Sequence, residues 1–202
     1  MSTVRAIQAV TEALVRALRD ARTADWPDAK VAALRGQDFA NPPADLPANA
    51  LGASVFLWRV GLNAAMRNYR RPPTPPTPRR RSPTAVDLLY LLSGWGPTAG
   101  DQHLMLAWAL RALLDVGTLA PGLLNAGAAG AAFAPDEAVE LAWEPTPVEF
   151  ISQHSDLLKP NWPPTVVLVA RGVVIESLLP EAPDGPPVQA RAVGARPWDF
   201  AT

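Results

Sequence analysis

The feature that most constrains the fold is the apolar block Ala85–Val116, the most hydrophobic stretch of the chain. Its first part, Val86–Leu92, is a short and nearly continuous apolar run, which is typical of a central strand covered on both faces. Glycines and a proline then break the run, and a helix is predicted between an N-cap at Asp101 and a C′ residue at Gly117. Because the strand needs neighbours and the helix needs a sheet to lie on, the rest of the chain must provide both.

Strand and helix patterns follow one another without a strict βαβ rhythm. An amphipathic helix, capped by Ser2 or Thr3, is predicted over Val4–Ala21. Further strands are predicted at Lys30–Arg35, Ser54–Leu62, Ala138–Glu144 and Thr165–Ser177, and further helices at Leu119–Asn125 and 146–158. The mixture predicts an α+β fold with a single mixed, mostly antiparallel sheet flanked by helices.

Two strands carry details that a structure can test. In Ser54–Leu62, simple alternation places Phe56, Trp58, Val60 and Leu62 on one face. In Thr165–Ser177, the Arg171-Gly172 pair is compatible with a hairpin turn, but both flanks fit one strand with Gly172 as a bulge or a point of close approach.

The chain of 202 residues predicts one domain, residues 1–178, followed by a flexible Pro/Gly-rich tail, residues 179–202. Within the domain, residues 69–84 form a Pro/Arg-rich extended arm, since proline blocks helix and inner strand. Trp198 and Phe200 are unexpected in a flexible tail, so we expect them to contact a partner.

The composition argues against catalysis. The chain has no cysteine and two histidines, which excludes thiolate chemistry and disfavours a zinc site. His154-Ser155-Asp156 contains the residue types of a hydrolase triad, but neighbours on a helix point apart. We therefore predict no enzyme activity, no catalytic or metal-binding residues and no cofactor. No signal peptide or membrane span is evident, so a cytoplasmic location is expected.

The arm carries the strongest charge cluster of a chain whose formal net charge is −1. It contains Arg70, Arg71, Arg79, Arg80 and Arg81. One interpretation is a solvated spacer between two strands. The other is a docking element for an acidic protein surface or a proline-binding groove; nucleic acid is not an expected partner, because aromatic residues hardly interleave the arginines.

The helix predicted after Asp101 has apolar residues on both sides. Leu106, Leu110, Leu113 and Leu114 are expected to face the sheet. Leu104 and Trp108 lie on the opposite side, beside Arg111. Either another element of the same chain covers these two residues, or they form a subunit interface.

The order and spacing of several segments resemble the tail-terminator, or cap, family of phage-tail-like contractile injection systems, over roughly residues 1–178. The resemblance rests on VFLWRVGLNAAMRN (55–68), DLLYLLSGWG (87–96), QHLMLAWALRALLD (102–115) and VELAWEPTPVEFISQHSDLL (139–158).

The resemblance implies a structural protein with a terminator-like sheet. Its partners would be further copies of itself in a ring, expected to be a hexamer, and the sheath and inner-tube proteins whose growth the ring stops. Assembly would take place in the cytoplasm, with release as part of an extracellular particle. The alternative is an adaptor that presents the basic arm to a protein domain or to nucleic acid.

Overall fold

The computed structural model describes residues 4–39, 50–66, 81–128, 130–145 and 163–179. The helices are α1 (Ala6–Asp20), α2 (Ala99–Val116) and α3 (Pro121–Leu124), with a 3-10 helix at Gly36–Phe39. The strands are β1 (Lys30–Ala33), β2 (Gly52–Leu62), β3 (Thr84–Trp95), β4 (Thr118–Leu119), β5 (Val139–Glu144) and β6 (Thr165–Ile175). The predicted helix 146–158 lies outside the described residues, and the predicted division into domain, arm and tail stays a prediction.

The six strands form one sheet in the order β1-β2-β3-β6-β5-β4. Only β1 and β2 pair in parallel, and every other neighbouring pair is antiparallel. The predicted mixed, mostly antiparallel sheet is therefore confirmed. The apolar block supplies the central strand β3 and the long helix α2, as its sequence pattern predicts.

The two long helices cover one face of this sheet. Val10, Leu14 and Leu18 of α1 are completely buried against it, as the predicted stripe requires. In the middle of the contact, the Thr11 hydroxyl and the Tyr90 hydroxyl of β3 lie 2.9 Å apart and form a hydrogen bond. Burial raises the pKa of the Tyr90 phenol, so the group stays neutral.

The opposite face of the sheet carries a second apolar layer. Leu91, Val167 and Val169 form one buried cluster there, and Phe39 packs edge-on against Phe56 in another. Leu91, Val167 and Val169 are on the face expected from strict alternation in β3 and β6. Both faces of the central strands are thus buried, which explains their nearly continuous apolar sequence.

Bulges change the alternation that the sequence predicts. The register of β2 shifts between Leu57 and Arg59, so that Val60 lies opposite Leu88 and Leu62 opposite Val86. Leu88 and Val86 belong to the helix-covered core, and directly opposed residues share a face. The prediction that Val60 and Leu62 share the face of Phe56 is therefore wrong, because the bulge adds one residue.

Gly172 lies at the second bulge, between β3 and β6, with φ of 68°. Its N–H donates to an Asp87 carboxylate oxygen at 2.9 Å, and the same oxygen accepts from Asn63 at 2.8 Å. A Cβ on Gly172 would come within 2.9 Å of the Met66 sulfur. The prediction of one strand with a bulge at Gly172 is confirmed, and the hairpin alternative is excluded.

Helix α2 differs from its prediction in two respects. Its N-cap is Thr98, whereas Asp101 occupies the third helical position and completes a capping box. The prediction that Leu114 faces the sheet is wrong: Leu114 is exposed, whereas Met105 and Ala109 are completely buried. The inward face is rotated because α2 packs against both the sheet and α1.

The start of α1 also differs. The helix begins at Ala6 with Arg5 in the N-cap position and no side-chain cap, so Val4 precedes the helix and is exposed. The predicted caps Ser2 and Thr3 lie outside the part of the chain that the structure describes.

Candidate assembly surface

A groove of about 610 Å³ lies between the C-terminal end of α1 and the outer side of α2. We call it the α1–α2 groove. Most of its lining side chains are apolar or small, and its charged residues are Asp20, Arg111 and Asp115. The full lining is Ala17, Asp20, Ala21, Thr23, Trp26, Leu104, Ala107, Trp108, Arg111, Ala112, Asp115, Val116 and Leu123. The groove is therefore a candidate binding surface among the described residues.

Trp108 forms the boundary between the groove and the core. Its side chain is only 9% exposed, and its indole N–H donates to the carbonyl oxygen of Ala21 at 3.2 Å. That carbonyl belongs to the C-cap residue of α1, where carbonyls lack helical partners. Trp108 is therefore covered by another element of the same chain, α1, as the first of the two explanations expects.

Leu104 differs from Trp108, although both line the groove. Its exposed fraction is 44%. Leu114 on the same helix is equally exposed, at 45%, but does not line the groove. Leu104 and Leu114 therefore match in helix and exposure and differ in whether they line the groove.

The rim of the groove carries opposite charges. Arg111 and Asp115, one turn apart on α2, form a two-point ion pair in which the Nε–Oδ2 distance is 3.1 Å. Asp20 is exposed at the end of α1, where the helix dipole disfavours a carboxylate. Because Arg111 is paired within α2, Asp20 leaves the rim with an excess of negative charge.

A second exposed apolar surface lies at the far end of β2. Leu62 is 79% exposed and Val60 is 47% exposed, and both lie on the helix-covered face of the sheet. We call these two residues the strand-end ridge. Arg59, also exposed, precedes it in the strand but lies opposite Leu89, on the other face of the sheet. Among the described residues, β1 pairs with β2 only as far as Val55, so β1 does not extend to this ridge.

Hydrogen bonds from the Arg35 side chain hold the pKa of the Asp38 carboxyl below its usual range and fix the turn after β1. No cluster of three metal-ligating side chains occurs in the described ranges. The helices described there are all too short or too polar to cross a membrane. His154-Ser155-Asp156 lies outside the described residues.

The predicted interface residues fall into two groups. Leu104, Trp108 and Arg111 all line the groove, and Arg81 is exposed beside Leu179, to whose carbonyl oxygen its backbone N–H donates at 3.2 Å. The remaining predicted residues lie outside the described part of the chain: Arg70, Arg71, Arg79, Arg80, Trp198 and Phe200. The interface role of both groups stays a prediction.

Sequence reasoning missed two parts of this surface. The α1 side of the groove, including Asp20 and Trp26, comes from residues far from α2 in sequence. Only Trp26 could have been noticed in advance, as a large apolar residue outside the predicted helices and strands. The sequence does not predict the ridge, because no residue in β2 indicates the bulge that moves Leu62 to the helix-covered face.

The profile of the Pvc16 N-terminal domain family matches residues 9–190, which include both the groove and the ridge. The chain belongs to this family. No curated protein matches the chain. The predicted resemblance to the tail-terminator family of contractile injection systems is confirmed at the level of the family.

One solved structure is similar to this chain in fold. It is described as the sheath/tube terminator of a PVC, an extracellular contractile injection system, in the extended state. The match has a TM-score of 0.54 at 15% identity and covers 93% of this chain. This chain spans 64% of the length of that terminator. At this identity the likeness shows the fold, and the terminator-like α+β fold of the Pvc16 N-terminal domain is confirmed.

Proposed function

We propose that this protein is a terminator subunit of a contractile injection system. It forms a homo-oligomeric ring, expected to be a hexamer, on the distal end of the sheath and inner tube and ends their polymerisation. The observation that carries the proposal is the likeness to a sheath/tube terminator over 93% of the chain, together with membership of the Pvc16 N-terminal domain family.

The described surfaces support a role in assembly. An open apolar groove and an exposed apolar strand end are features of chains that bury surface against partners. The role requires no catalytic group, and binding to sheath and tube would be its whole function. The ring would assemble in the cytoplasm and leave the cell as part of an extracellular particle.

The test is deletion of the gene in a strain that produces the particles. We expect sheath and tube of irregular length, measured by electron microscopy, because nothing would stop subunit addition at the distal end. Re-expression of the wild-type chain should restore a narrow length distribution. Particles of normal, uniform length in the deletion strain would refute the proposal.

The adaptor alternative depends on residues 69–80, which lie outside the described part of the chain. It makes a different prediction for a chain from which these residues are removed and replaced by a short glycine linker. A terminator should still restore particle length in the deletion strain, whereas an adaptor would lose its partner. Loss of length control with an intact fold would favour the adaptor.

A further inference from the structure

Part of one edge of strand β2 has no neighbour among the described residues. The last backbone bond from the β1 side is donated by the Leu34 N–H to the carbonyl oxygen of Val55, at 2.9 Å. Beyond this point β2 continues to Leu62 with no described strand beside it. A free edge of this kind is a template for a further strand, and native proteins usually cover it.

The backbone groups of the strand-end ridge point toward this free edge. The Asn63 N–H donates to the Ala85 carbonyl oxygen of β3 at 3.0 Å. Because backbone bonds alternate along an antiparallel pair, Gly61 also faces β3, whereas the N–H and C=O groups of Val60 and Leu62 point away from it. An added strand would therefore meet the unpaired backbone groups and the exposed side chains of the ridge together.

The outer edge of β1 differs, because a side chain already covers it. Lys30 donates its N–H to Leu51 on the β2 side, so the next residue, Val31, points its backbone groups outward. Arg19 of α1 donates to the Val31 carbonyl oxygen at 3.0 Å. The guanidinium blocks this edge to a further strand, whereas the β2 edge beside the ridge is open among the described residues.

The two faces of β2 at this edge set the chemistry of a strand that would pair there. Val60 and Leu62 are exposed on the helix-covered face. Arg59 and Gly61 lie on the other face, and Arg59 forms no ion pair with a described side chain. A Cβ on Gly61 would have nothing within 4 Å. Since alternate residues of a strand point to opposite faces, the fitting partner has an acidic residue between two apolar ones.

Trp198-Asp199-Phe200 of the same chain has this pattern. We propose that this segment adds a short strand to β2 beside the strand-end ridge. Trp198 and Phe200 would cover the ridge, and Asp199 would lie on the face of Arg59. Pro197 precedes the segment, and proline is accepted at the first position of an edge strand. The partner of the two aromatic residues is then the sheet of their own chain, and the inference does not depend on the proposed ring.

The position of Leu179 brings this contact within reach of one chain. Its carbonyl oxygen accepts from Arg81, shortly before β3 begins, and β3 begins at the end of the sheet where Leu62 lies. The spacing of the strands places Leu179 roughly 20 Å from the ridge. A flexible connection of the length of residues 180–197 has an average end-to-end distance of about 25 Å, which matches this span.

The direction of entry fixes the register. A segment that arrives beside Leu62 runs antiparallel to β2, so that Trp198 lies opposite Leu62 and Asp199 opposite Gly61. The second of these is a pair without mutual backbone bonds, in which the Cα atoms are about 4.5 Å apart. The Asp199 carboxylate then reaches Arg59 diagonally across the two strands.

One other stretch, Val148-Glu149-Phe150, has the same alternation but fits the edge less well. It falls within the predicted helix 146–158. Pro164, which follows this region, accepts a backbone bond from Gly94 at 3.2 Å. Gly94 lies at the opposite end of β3 from the ridge, so the stretch begins far from the free edge.

A disulfide tests the register, because the chain has no native cysteine. Gly61→Cys/Asp199→Cys places two thiols at the pair whose Cα atoms would be about 4.5 Å apart, within the range of a disulfide. The variant keeps the ridge and both aromatic residues, and the space beside Gly61 is open. On mild oxidation we expect a disulfide within one chain, identified by peptide mapping of the monomer.

Two matched variants control for chance encounters. Gly61→Cys/Ala195→Cys moves one thiol to an earlier position of the same segment. Gly36→Cys/Asp199→Cys moves the other thiol to a glycine that also has nothing within 4 Å. Both should form the disulfide roughly tenfold more slowly, because only the flexible connection brings their thiols together. Equal rates for all three variants, or a disulfide that joins two chains, would overturn the inference.

Hydrogen exchange followed by NMR tests strand pairing in a chain without cysteines. A paired strand protects the backbone N–H groups of Val60 and Leu62, which cover by side chains alone would not do. Trp198→Ser/Phe200→Ser should therefore speed the exchange of these two amides about tenfold. The Leu34 amide, already bonded to Val55, should be unaffected.

The control replaces two other apolar residues of the same segment, in Val188→Ser/Val193→Ser, and should leave exchange at the ridge unchanged. If Trp198→Ser/Phe200→Ser also leaves it unchanged, the segment does not pair with β2 and the inference is wrong. Circular dichroism checks that each variant is folded.

A charge reversal tests the face on which the acidic residue lies. Arg59→Asp should speed the exchange of the Leu62 amide roughly two- to fivefold, the range expected for loss of an exposed ion pair. Adding Asp199→Arg should restore the protection. Restoration equal to that given by Asp184→Arg, in the same segment, would contradict the pairing of Asp199 with Arg59.

Discussion

The two sides of helix α2 differ in how tightly they are packed. On the sheet side, the backbone of the helix approaches β3 so closely that a Cβ on Gly94 would collide with the carbonyl of Gln102 and come within 2.5 Å of the Leu106 nitrogen. On the groove side, Leu104 remains about half exposed, at 44%. The contrast separates residues that define the fold from residues that are available to a partner.

The first prediction tests the sheet side and has the largest expected effect. Gly94→Ala should lower the free energy of unfolding by about 3 kcal/mol. The added methyl group would clash with backbone atoms of α2, which cannot move aside as a side chain does by changing its rotamer. The measurement is chemical denaturation followed by circular dichroism.

The control for this prediction is Gly61→Ala, which lies in a strand of the same sheet with nothing within 4 Å of the new Cβ. It should change stability little. Equal stability of the two variants would mean that α2 can move away from β3 without cost, and the proposed difference between its two sides would disappear.

The second prediction tests the boundary between the two sides. Trp108→Phe keeps an aromatic ring but removes the N–H that donates to Ala21. We expect a loss of about 1 kcal/mol in the free energy of unfolding, the usual net contribution of one hydrogen bond. An unchanged stability would show that water satisfies the Ala21 carbonyl equally well.

The fold could be predicted from the sequence where local patterns repeat. The central strand β3 and the alternation in β5 follow from the spacing of apolar residues, and Gly172 as a bulge follows from a glycine inside a β-branched run. Alternation failed in β2, where the bulge lies at a tryptophan in an apolar run and leaves no such mark. The prediction for the inward face of α2 is wrong for a related reason, since the second packing partner of this helix, α1, lies about ninety residues away in sequence.

The candidate site was predictable only in part. The sequence singled out Leu104 and Trp108 as apolar residues on a polar stripe, and both line the groove. The sequence allowed two explanations, cover by the same chain or a subunit interface. In the structure Trp108 is covered by α1, whereas Leu104 is exposed. Burial of this kind depends on tertiary contacts, which helical periodicity alone does not encode.

The last prediction concerns the groove side and has the smallest effect on stability. Leu104→Ser should change the free energy of unfolding by only about 0.5 kcal/mol, since the side chain is already half in water. Leu114→Ser, with the same exposure on the same helix, should cost the same. The two variants should differ in assembly, measured by sedimentation velocity, because only Leu104 lines the groove. If Leu104→Ser instead destabilises the monomer by several-fold more than Leu114→Ser, Leu104 is part of the folded core and both sides of α2 serve the fold.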